Sequence, residues 1–183
     1  QKAIAPGMKT KDLDAIASRD IKRLGAKPSF KGYRGFPATI CVSINDEIVH
    51  GIPGDKVIKE GDLVKIDAGA IVDGYWGEFN RMAVVGEASE RKVENHNKIR
   101  TIVRRSIEEA FKPGNSYRSV IEHMVTIYQD LDLEEAQYAS YTKPPFFHLA
   151  HGVGLNGSEP PFVRMDDESP LEVGMVVDVE AYL

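Results

Sequence analysis

The sequence has one cysteine, Cys41, among its 183 residues. A single cysteine excludes a disulfide framework within the chain and fits a reducing compartment. The sequence also lacks an excess of positive charge, because its net charge at pH 7 is −5. Surfaces that bind nucleic acid are basic, so we expect no nucleic-acid partner.

Long apolar runs are missing as well. No run approaches the ~20 residues that a membrane-spanning helix needs, and no secretory apolar region is visible. We therefore expect no membrane partner and a cytoplasmic location. The composition, 42% hydrophobic and 28% charged, is that of an ordinary soluble globular protein, and the length suits one domain with one sizeable core.

Both ends of the sequence suggest missing elements. The pair Pro6-Gly7 near the start would terminate a helix whose body is not present. The closing run GMVVDVEAYL reads as an apolar strand with no partner after it, and such an exposed sheet edge is usually avoided. We expect residues 1–183 to form a single catalytic domain that is truncated at both ends.

Between the ends, periodicity and turn residues predict a mixture of helices and strands. Helices are predicted from Thr10 up to Gly25, at 90–111 and at 116–131. Strands are predicted at 38–50 with a central Asn-Asp turn, at 62–72, 75–85, 145–150 and 175–182. The stretches APGMKTKDLDAIASRDIKRLG and KPGNSYRSVIEHMVTIYQDLD resemble each other, which indicates two similar α+β halves.

A hairpin in the middle of the chain carries two acids. If Asp73-Gly74 is a two-residue turn, Asp67 faces Asn80, and Glu78 lies two positions along on the same face. Diagonal neighbours of this kind are ~7–8 Å apart, so the two carboxylates could bind shared cations. The alternative is a half-exposed hairpin whose polar residues simply face water.

Two further residues stand in unusual surroundings. His151 lies between an alanine and Gly-x-Gly, and Glu180 is embedded in the apolar run VVDVEAY. An acid in a buried strand is costly unless it is paired or bound to metal, whereas the alternative for His151 is a loop histidine beside a tight turn. Together with the hairpin acids they form an oxygen-rich set with one nitrogen. Such ligands suit Mn, Fe, Co or Zn, and two such ions would generate a hydroxide nucleophile.

Several ordered motifs resemble one known family. The segment GYRGFPATICVSINDEIVHGIP, the spacing from Asp67 to Glu78, AHGVG and PLEVGMVVDVE are similar to the pita-bread metallopeptidases. This family includes the methionine aminopeptidases and the Xaa-Pro peptidases. Residues 32–53 are most similar to the bacterial type of methionine aminopeptidase, whereas the EPP after His151 is more typical of the Xaa-Pro branch. The resemblance implies an α+β pita-bread fold: two pseudo-symmetric halves with a curved antiparallel sheet covered by helices.

The resemblance also implies a metal site. The family's two-metal site takes in the positions of Asp67, Glu78, His151 and Glu180. A fifth ligand, a glutamate on a later strand, has no counterpart before Leu183. We therefore expect two divalent metal ions, drawn from Mn, Fe, Co or Zn, to act as the cofactors.

Substrate-facing positions follow from the same resemblance. His50 in HGIP matches the histidine that faces the substrate and helps proton traffic, although by itself it reads as a strand-end histidine before a turn. Tyr33, Phe36 and Cys41 match positions that line the pocket for the substrate's first side chain, and otherwise they would pass for core residues. Ser158 stands where the family usually has a second histidine, which donates to the oxyanion of the tetrahedral intermediate.

Three positions depart from the family. Glu78 replaces an aspartate, and its extra methylene moves the carboxylate by roughly 1.3–1.5 Å in a kind of site that needs placement to ~0.5 Å. Ser158 has a shorter reach than histidine, and loss of one oxyanion donor costs ~2.7–4 kcal/mol in other enzymes. Gly157 replaces a residue that is aromatic in the bacterial methionine enzymes, which predicts an open pocket wall.

We expect a metal-dependent aminopeptidase that removes an N-terminal residue, methionine above all, from peptides or nascent proteins. A hydroxide between the metals would attack the first peptide carbonyl, and Glu180 would shuttle the proton. Two alternatives remain: an Xaa-Pro peptidase of the same fold, and a catalytically weak pseudo-peptidase that binds peptides or proteins. A different hydrolysis on the same metal scaffold is a third.

Overall fold

The computed structural model describes residues 3–144 and 148–183 of the chain. They contain helices and antiparallel sheets in mixed order, which confirms the α+β prediction. The chain divides into two compact units, each built around its own sheet. Unit 1 comprises Gln1–Ser89 and Gly154–Gly157, and unit 2 comprises Glu90–Val153 and Ser158–Leu183.

Unit 1 is built on a long two-stranded hairpin. Its elements are helix α1 (Thr10–Arg23) and strands β1 (Lys27–Pro28), β2 (Ile40–Ile44), β3 (Leu63–Val72) and β4 (Tyr75–Val84). Strand β3 lies in the middle of the sheet. It pairs with β4 along one edge, and with β2 and then β1 along the other, always antiparallel.

The turn between β3 and β4 is the two-residue turn that the sequence predicts. Asp73 and Gly74 both have positive φ, 53° and 88°, as a type I′ turn requires. The resulting register pairs Asp67 with Asn80 and Gly69 with Glu78. The predicted arrangement of the hairpin is confirmed.

The core of unit 1 lies on one face of this sheet. Side chains alternate between the two faces of a strand, so Val64 and Ala68 share a face that excludes Asp67. Leu13 of α1 packs in the same cluster as these two residues. Its buried members are Leu13, Ile40, Val42, Ile44, Ile58, Val64, Ala68 and Val85. The sheet is therefore apolar on one face only, and the acids lie on the other.

The strand predicted after the Asn-Asp turn is wrong, because residues 47–50 form no strand. The Glu47 carboxylate accepts a hydrogen bond from the Ile44 N–H at 2.7 Å, which turns the chain away at the end of β2. The side chain of Ile48 is 66% exposed, so the alternating pattern does not reflect a buried face here. The chain instead forms a loop that returns to β2 through Gly51.

Substitution of Gly51 tests how closely this loop approaches β2. The Val42 N–H donates to the Gly51 carbonyl at 2.8 Å. A Cβ on Gly51 would lie 2.3 Å from the Val42 carbonyl oxygen, which is backbone and cannot move aside. We expect Gly51→Ala to lower the free energy of unfolding by about 1–3 kcal/mol, as other overpacked sites do, measured by denaturant titration. Gly54→Ala is the matched control, since its Cβ would meet nothing closer than 4.0 Å. Equal stability of the two variants would contradict the close approach.

Unit 2 contains the remaining helices and a small sheet. Its elements are α2 (Glu90–Arg105), α3 (Tyr117–Asp130), α4 (Ala139–Thr142), β5 (Ala150–Gly152), β6 (Glu159–Val163) and β7 (Val177–Val179). Helix α2 continues into a π-helical turn, Ser106–Ala110, which together cover the helix predicted at 90–111. The sheet has the order β6-β5-β7, with both pairings antiparallel. Within the described part of the chain, no helix is long and apolar enough to cross a membrane.

Helix α3 contributes six buried residues to the core of unit 2. The Ser116 hydroxyl caps it by accepting from the Ser119 N–H. The buried residues that α3 contributes are Tyr117, Val120, Ile121, Met124, Ile127 and Tyr128. Helices α1 and α3 each follow a Pro-Gly pair and belong to different units, as the internal resemblance predicts.

The strands around His151 differ from the prediction. Residues 145–147 of the strand predicted at 145–150 lie outside the described residues, and β5 begins only at Ala150. His151 therefore lies within a strand and not in a loop. The cause is β6, a strand that the sequence analysis does not predict because its adjacent residues Pro160 and Pro161 are unusual in a strand. These prolines are accommodated because β6 is an edge strand, where an N–H is not always needed. The last strand is also shorter than the predicted 175–182.

Candidate metal centre

In unit 1 the predicted acids lie on the sheet face opposite the core. Cys41 of β2 pairs with Asp67 of β3, which pairs with Asn80 of β4. Directly paired residues share a face, and so do residues two positions apart on one strand. Glu78 and Trp76 therefore lie on the same face as Asp67.

The thiol of Cys41 links the two acids electrostatically. Cys41 is buried, and its thiol donates a hydrogen bond to the Asp67 carboxylate. Burial, followed by the charges of Asp67 and Glu78, raises the pKa of the Cys41 thiol to about 12. The thiol thus stays protonated at neutral pH and can keep donating to Asp67. The charges of both carboxylates thus act on this thiol, in agreement with their diagonal positions on one face of the hairpin.

His50 lies at the end of the loop that follows β2. It is exposed and has a φ of 57°, which is uncommon for a residue other than glycine. The next residue, Gly51, accepts the Val42 N–H, so the backbone beside His50 is attached to β2. His50 is thus next in sequence to a residue that is hydrogen-bonded to β2, the strand that carries Cys41. Its predicted role towards the substrate stays a prediction.

The aromatic residues of the GYRGFP loop extend the face that carries Glu78. The Tyr33 ring contacts the Trp76 ring edge-on, with centroids 5.0 Å apart. Phe36 packs against Phe30, with centroids 6.4 Å apart. Tyr33 and Trp76 thus form an aromatic pair next to Glu78. The sequence interpretation missed Trp76, although its spacing of two residues from Glu78 on a strand would have placed both on one face.

Trp76 also corrects the expectation of an open wall at Gly157. A Cβ on Gly157 would lie 2.7 Å from two atoms of the Trp76 indole, so the indole already fills the space in front of this glycine. The backbone N–H of Trp76 donates to the Gly154 carbonyl at 2.8 Å, which holds the segment 154–157 against β4. An aromatic side chain is therefore present at this wall, but it comes from β4.

Because the Trp76 indole occupies the space in front of Gly157, substitutions at these two positions should compensate for each other. Gly157→Phe alone should lower the free energy of unfolding by about 1–3 kcal/mol, because the new ring meets the Trp76 indole. In a Trp76→Ala background the same change should cost much less or stabilise the protein, since the space is free. Denaturant titrations of the four proteins give the coupling energy. Additive effects would show that the two side chains do not compete for one space.

In unit 2, His151 is 6% exposed, and its ring makes a polar contact with the backbone. Its Nδ1 lies 3.0 Å from the Gly152 carbonyl oxygen, which can only accept. Nδ1 therefore carries the proton, and Nε2 keeps the lone pair that a metal ligand needs. Gly152 itself has to be small, because a Cβ there would lie 2.4 Å from the Pro160 carbonyl oxygen. The stripped surroundings of His151 thus reflect a close approach of β6.

Strand β7 places two acids beside this histidine. Asp178 is the register partner of His151, and Glu180 lies two positions along on the same face. The Tyr182 hydroxyl donates to Glu180 Oε2 at 2.9 Å, which orients the carboxylate. Asp178 was not among the predicted site residues. The i, i+2 spacing of the acids in VVDVE would have identified it.

The surroundings of Asp178 favour a bound cation. Burial, and then the charge of Glu180, raise the pKa of the Asp178 carboxyl, whereas His151 lowers it. Its Oδ2 is buried and has no hydrogen-bond partner among residues 3–144 and 148–183. A buried, unsatisfied carboxylate oxygen is costly unless it binds a proton or a cation. Carboxylates grouped with an available imidazole nitrogen therefore fit a divalent transition-metal ion.

A second histidine belongs to the same cluster. His148, His151 and Glu180 each offer one ligand atom, and these atoms lie within 4.8 Å of one another. The rings of His148 and His151 meet edge-on, with centroids 5.3 Å apart. Burial, followed by the nearby His151, lowers the pKa of His148. The sequence interpretation did not single out His148, although it stands three residues before His151.

The predicted ligands are thus divided between the units. Asp67 and Glu78 are neighbours in unit 1, and His151 and Glu180 are neighbours in unit 2. Ser158 is half-buried and directly precedes β6, whose first residue pairs beside His151. That all four ligands converge on one pair of ions stays a prediction.

Carboxylates and an imidazole set into antiparallel strands are typical of a metal-dependent hydrolase. Residues 1–183 match the model of metallopeptidase family M24, and the chain belongs to this family. The predictions of the family and of a metallopeptidase are confirmed. Membership also implies use of a divalent metal ion.

The chain is similar in sequence to several methionine aminopeptidases. It is 39% identical to methionine aminopeptidase 1 of Bacillus subtilis strain 168 over 184 residues, which cover 98% of this chain and 70% of that relative. It is 37% identical to the methionine aminopeptidase of Clostridium acetobutylicum, with the same coverage. These relatives favour the aminopeptidase prediction over the Xaa-Pro alternative.

Solved structures confirm the predicted pita-bread fold. Methionine aminopeptidase from Rickettsia prowazekii superposes with a TM-score of 0.82 at 26% identity, covering 97% of this chain and 69% of that chain. Prolidase from Pyrococcus furiosus gives 0.80 at 28% identity, covering 97% of this chain and 49% of that chain. The fold is thus shared by both branches that the motifs resemble.

Proposed function

We propose that this protein is a metal-dependent aminopeptidase that removes an N-terminal residue, methionine above all, from peptides and nascent proteins. The observation that carries this proposal is the donor set beside His151: its oriented imidazole, Asp178 of β7 and Glu180 directly after β7. The similarity to methionine aminopeptidases supports the choice of substrate. A cytoplasmic location and a single catalytic domain over residues 1–183 form part of the same proposal.

We propose that Asp67 and Glu78 of unit 1, with His151 and Glu180 of unit 2, hold two divalent ions drawn from Mn, Fe, Co or Zn. When bound, such ions polarise a carbonyl and lower the pKa of water. The chain contributes what orients these ligands. The Cys41 thiol donates to Asp67, the Gly152 carbonyl fixes the His151 tautomer, and the Tyr182 hydroxyl holds one oxygen of Glu180.

The remaining residues would position and protonate the substrate. Glu180 keeps one carboxylate oxygen free of the Tyr182 hydroxyl, and that oxygen is suited to moving a proton. His50, exposed at the end of its loop, would face the substrate and assist proton transfer. Tyr33, Phe36 and Cys41 would line the pocket for the first side chain, and Ser158 would donate to the developing oxyanion.

Two observations keep other functions in view. The fold is equally similar to prolidase, and EPP, a feature of the Xaa-Pro branch, forms the start of β6 beside His151. An Xaa-Pro peptidase is thus the second candidate. Glu78 and Ser158 weaken the catalytic positions and support a pseudo-peptidase that binds peptides or proteins.

Peptide cleavage by the complete, metal-loaded protein tests these functions. We expect cleavage of peptides that begin with Met-Gly, little cleavage of Xaa-Pro peptides, and loss of activity on chelation. His151→Ala should lower kcat/KM by at least 10²-fold, because one metal ligand is lost, whereas the exposed His96→Ala should leave it unchanged. Cleavage of Xaa-Pro peptides alone would favour the prolidase alternative. A protein that binds metal but cleaves neither peptide would be a pseudo-peptidase.

Reversal of the two departures separates a retuned site from a weakened one. If catalysis is weakened, Glu78→Asp combined with Ser158→His should raise kcat on Met-Gly peptides by about 10²–10³-fold, the size of one oxyanion donor. If the site is retuned, the reversals should lower activity or leave it unchanged. Steady-state kinetics of the single and double variants distinguish the two. The aminopeptidase proposal predicts the second outcome.

A further inference from the structure

We propose that His148 is a metal ligand in this protein, so that the ion beside His151 and Glu180 is bound by two imidazoles and one carboxylate. The inference rests on the proposed metal-dependent function and adds a residue that lies outside the set the motifs imply. It also predicts which metal this site prefers.

The geometry of the three donors supports direct coordination. Donors that lie about 2.0–2.2 Å from one ion are roughly 3–4 Å apart. In the structure the ligand atoms of His148, His151 and Glu180 are at most 4.8 Å apart. Movements of about 1 Å would bring them to coordinating distance.

Both neighbours of His148 in the cluster are already oriented. The His151 Nδ1–H is used by the Gly152 carbonyl, and one Glu180 oxygen accepts from the Tyr182 hydroxyl. Backbone pairing also fixes the strands beneath them, because the Glu180 N–H donates to the Leu149 carbonyl at 2.9 Å. An ion bound here would thus meet two ligands that lose little freedom on binding. His148 directly precedes Leu149, whose N–H donates to the Val163 carbonyl at 3.0 Å.

His148 also contacts an aromatic residue of β6. Its ring packs against Phe162 of β6, with centroids 5.5 Å apart. Among the described residues, no hydrogen bond joins it to an acid, in contrast to His123, whose Nε2 lies 2.8 Å from a Glu109 oxygen. A half-buried imidazole without such a partner can offer a ring nitrogen to a metal ion.

A second imidazole changes the chemistry of the site. Carboxylate oxygens suit Mn, whereas imidazole nitrogens suit Zn, Co and Fe. A site with one nitrogen and several oxygens accepts both groups of metals. With His148 as an added ligand, we expect this protein to favour Zn or Co over Mn.

Two variants of His148 separate coordination from packing. His148→Phe keeps a ring against His151 and Phe162 but has no donor, and His148→Gln removes the ring. Isothermal titration of the metal-free complete protein with Zn²⁺ and with Mn²⁺ measures the affinities. Loss of outer-shell partners of a metal ligand costs about 10–100-fold in affinity, so loss of a direct ligand should cost at least about 10-fold for Zn²⁺. Both variants should show this loss, and the loss for Mn²⁺ should be smaller.

Control variants give the outcomes a clear meaning. His96→Gln, on the exposed surface of α2, should leave both affinities unchanged, and His151→Gln should weaken both. Thermal unfolding in EDTA should show that His148→Phe is folded. If His148→Phe and His148→Gln bind Zn²⁺ as tightly as the wild type while His151→Gln does not, His148 is no ligand, and the proposed metallopeptidase stands. If the wild type binds neither metal, both proposals fall.

Discussion

The register of one antiparallel hairpin determines the positions of the candidate acids in unit 1. The turn at Asp73 and Gly74 pairs β3 with β4 so that Asp67 and Glu78 share a face. A slip of one residue would turn Asp67 into the core and Val64 towards solvent, and the burial of Val64 among the core residues opposes this strongly. The apolar face therefore keeps the acids in place. The alternation of side chains along each strand thus places the core residues on one face and the candidate ligands on the other.

Unit 2 achieves the same separation with much shorter strands, and this requires close backbone contacts. Three-residue strands such as β5 and β7 provide few backbone hydrogen bonds. The close packing of β6 against Gly152 therefore contributes more to the stability of this sheet. The acids of β7 add a cost, because Asp178 and Glu180 repel each other in a half-buried place. A bound cation would remove that cost. In this unit the acids thus oppose the stability of the metal-free fold.

The sequence predicted features that depend on neighbouring residues, and it failed for features that depend on contacts between distant segments of the chain. The hairpin and its register were predictable because a two-residue turn fixes both locally. Residues 47–50 alternate like a strand, but the Glu47 carboxylate turns the chain away from β2, and the sequence does not show this contact. Trp76, His148 and Asp178 were missed for a related reason. Each is ordinary by itself and gains its role from a partner on another strand, so it could be recognised only once the pairing was known.

The position of Trp76 has an optical consequence. It is the one tryptophan in the sequence, and it lies between the Tyr33 ring and Gly157, on the sheet face that carries Glu78. Under excitation near 295 nm, the fluorescence of the whole protein therefore arises from this wall. Emission from the chain therefore reports the polarity and packing around this one indole, beside the acids, without any attached dye.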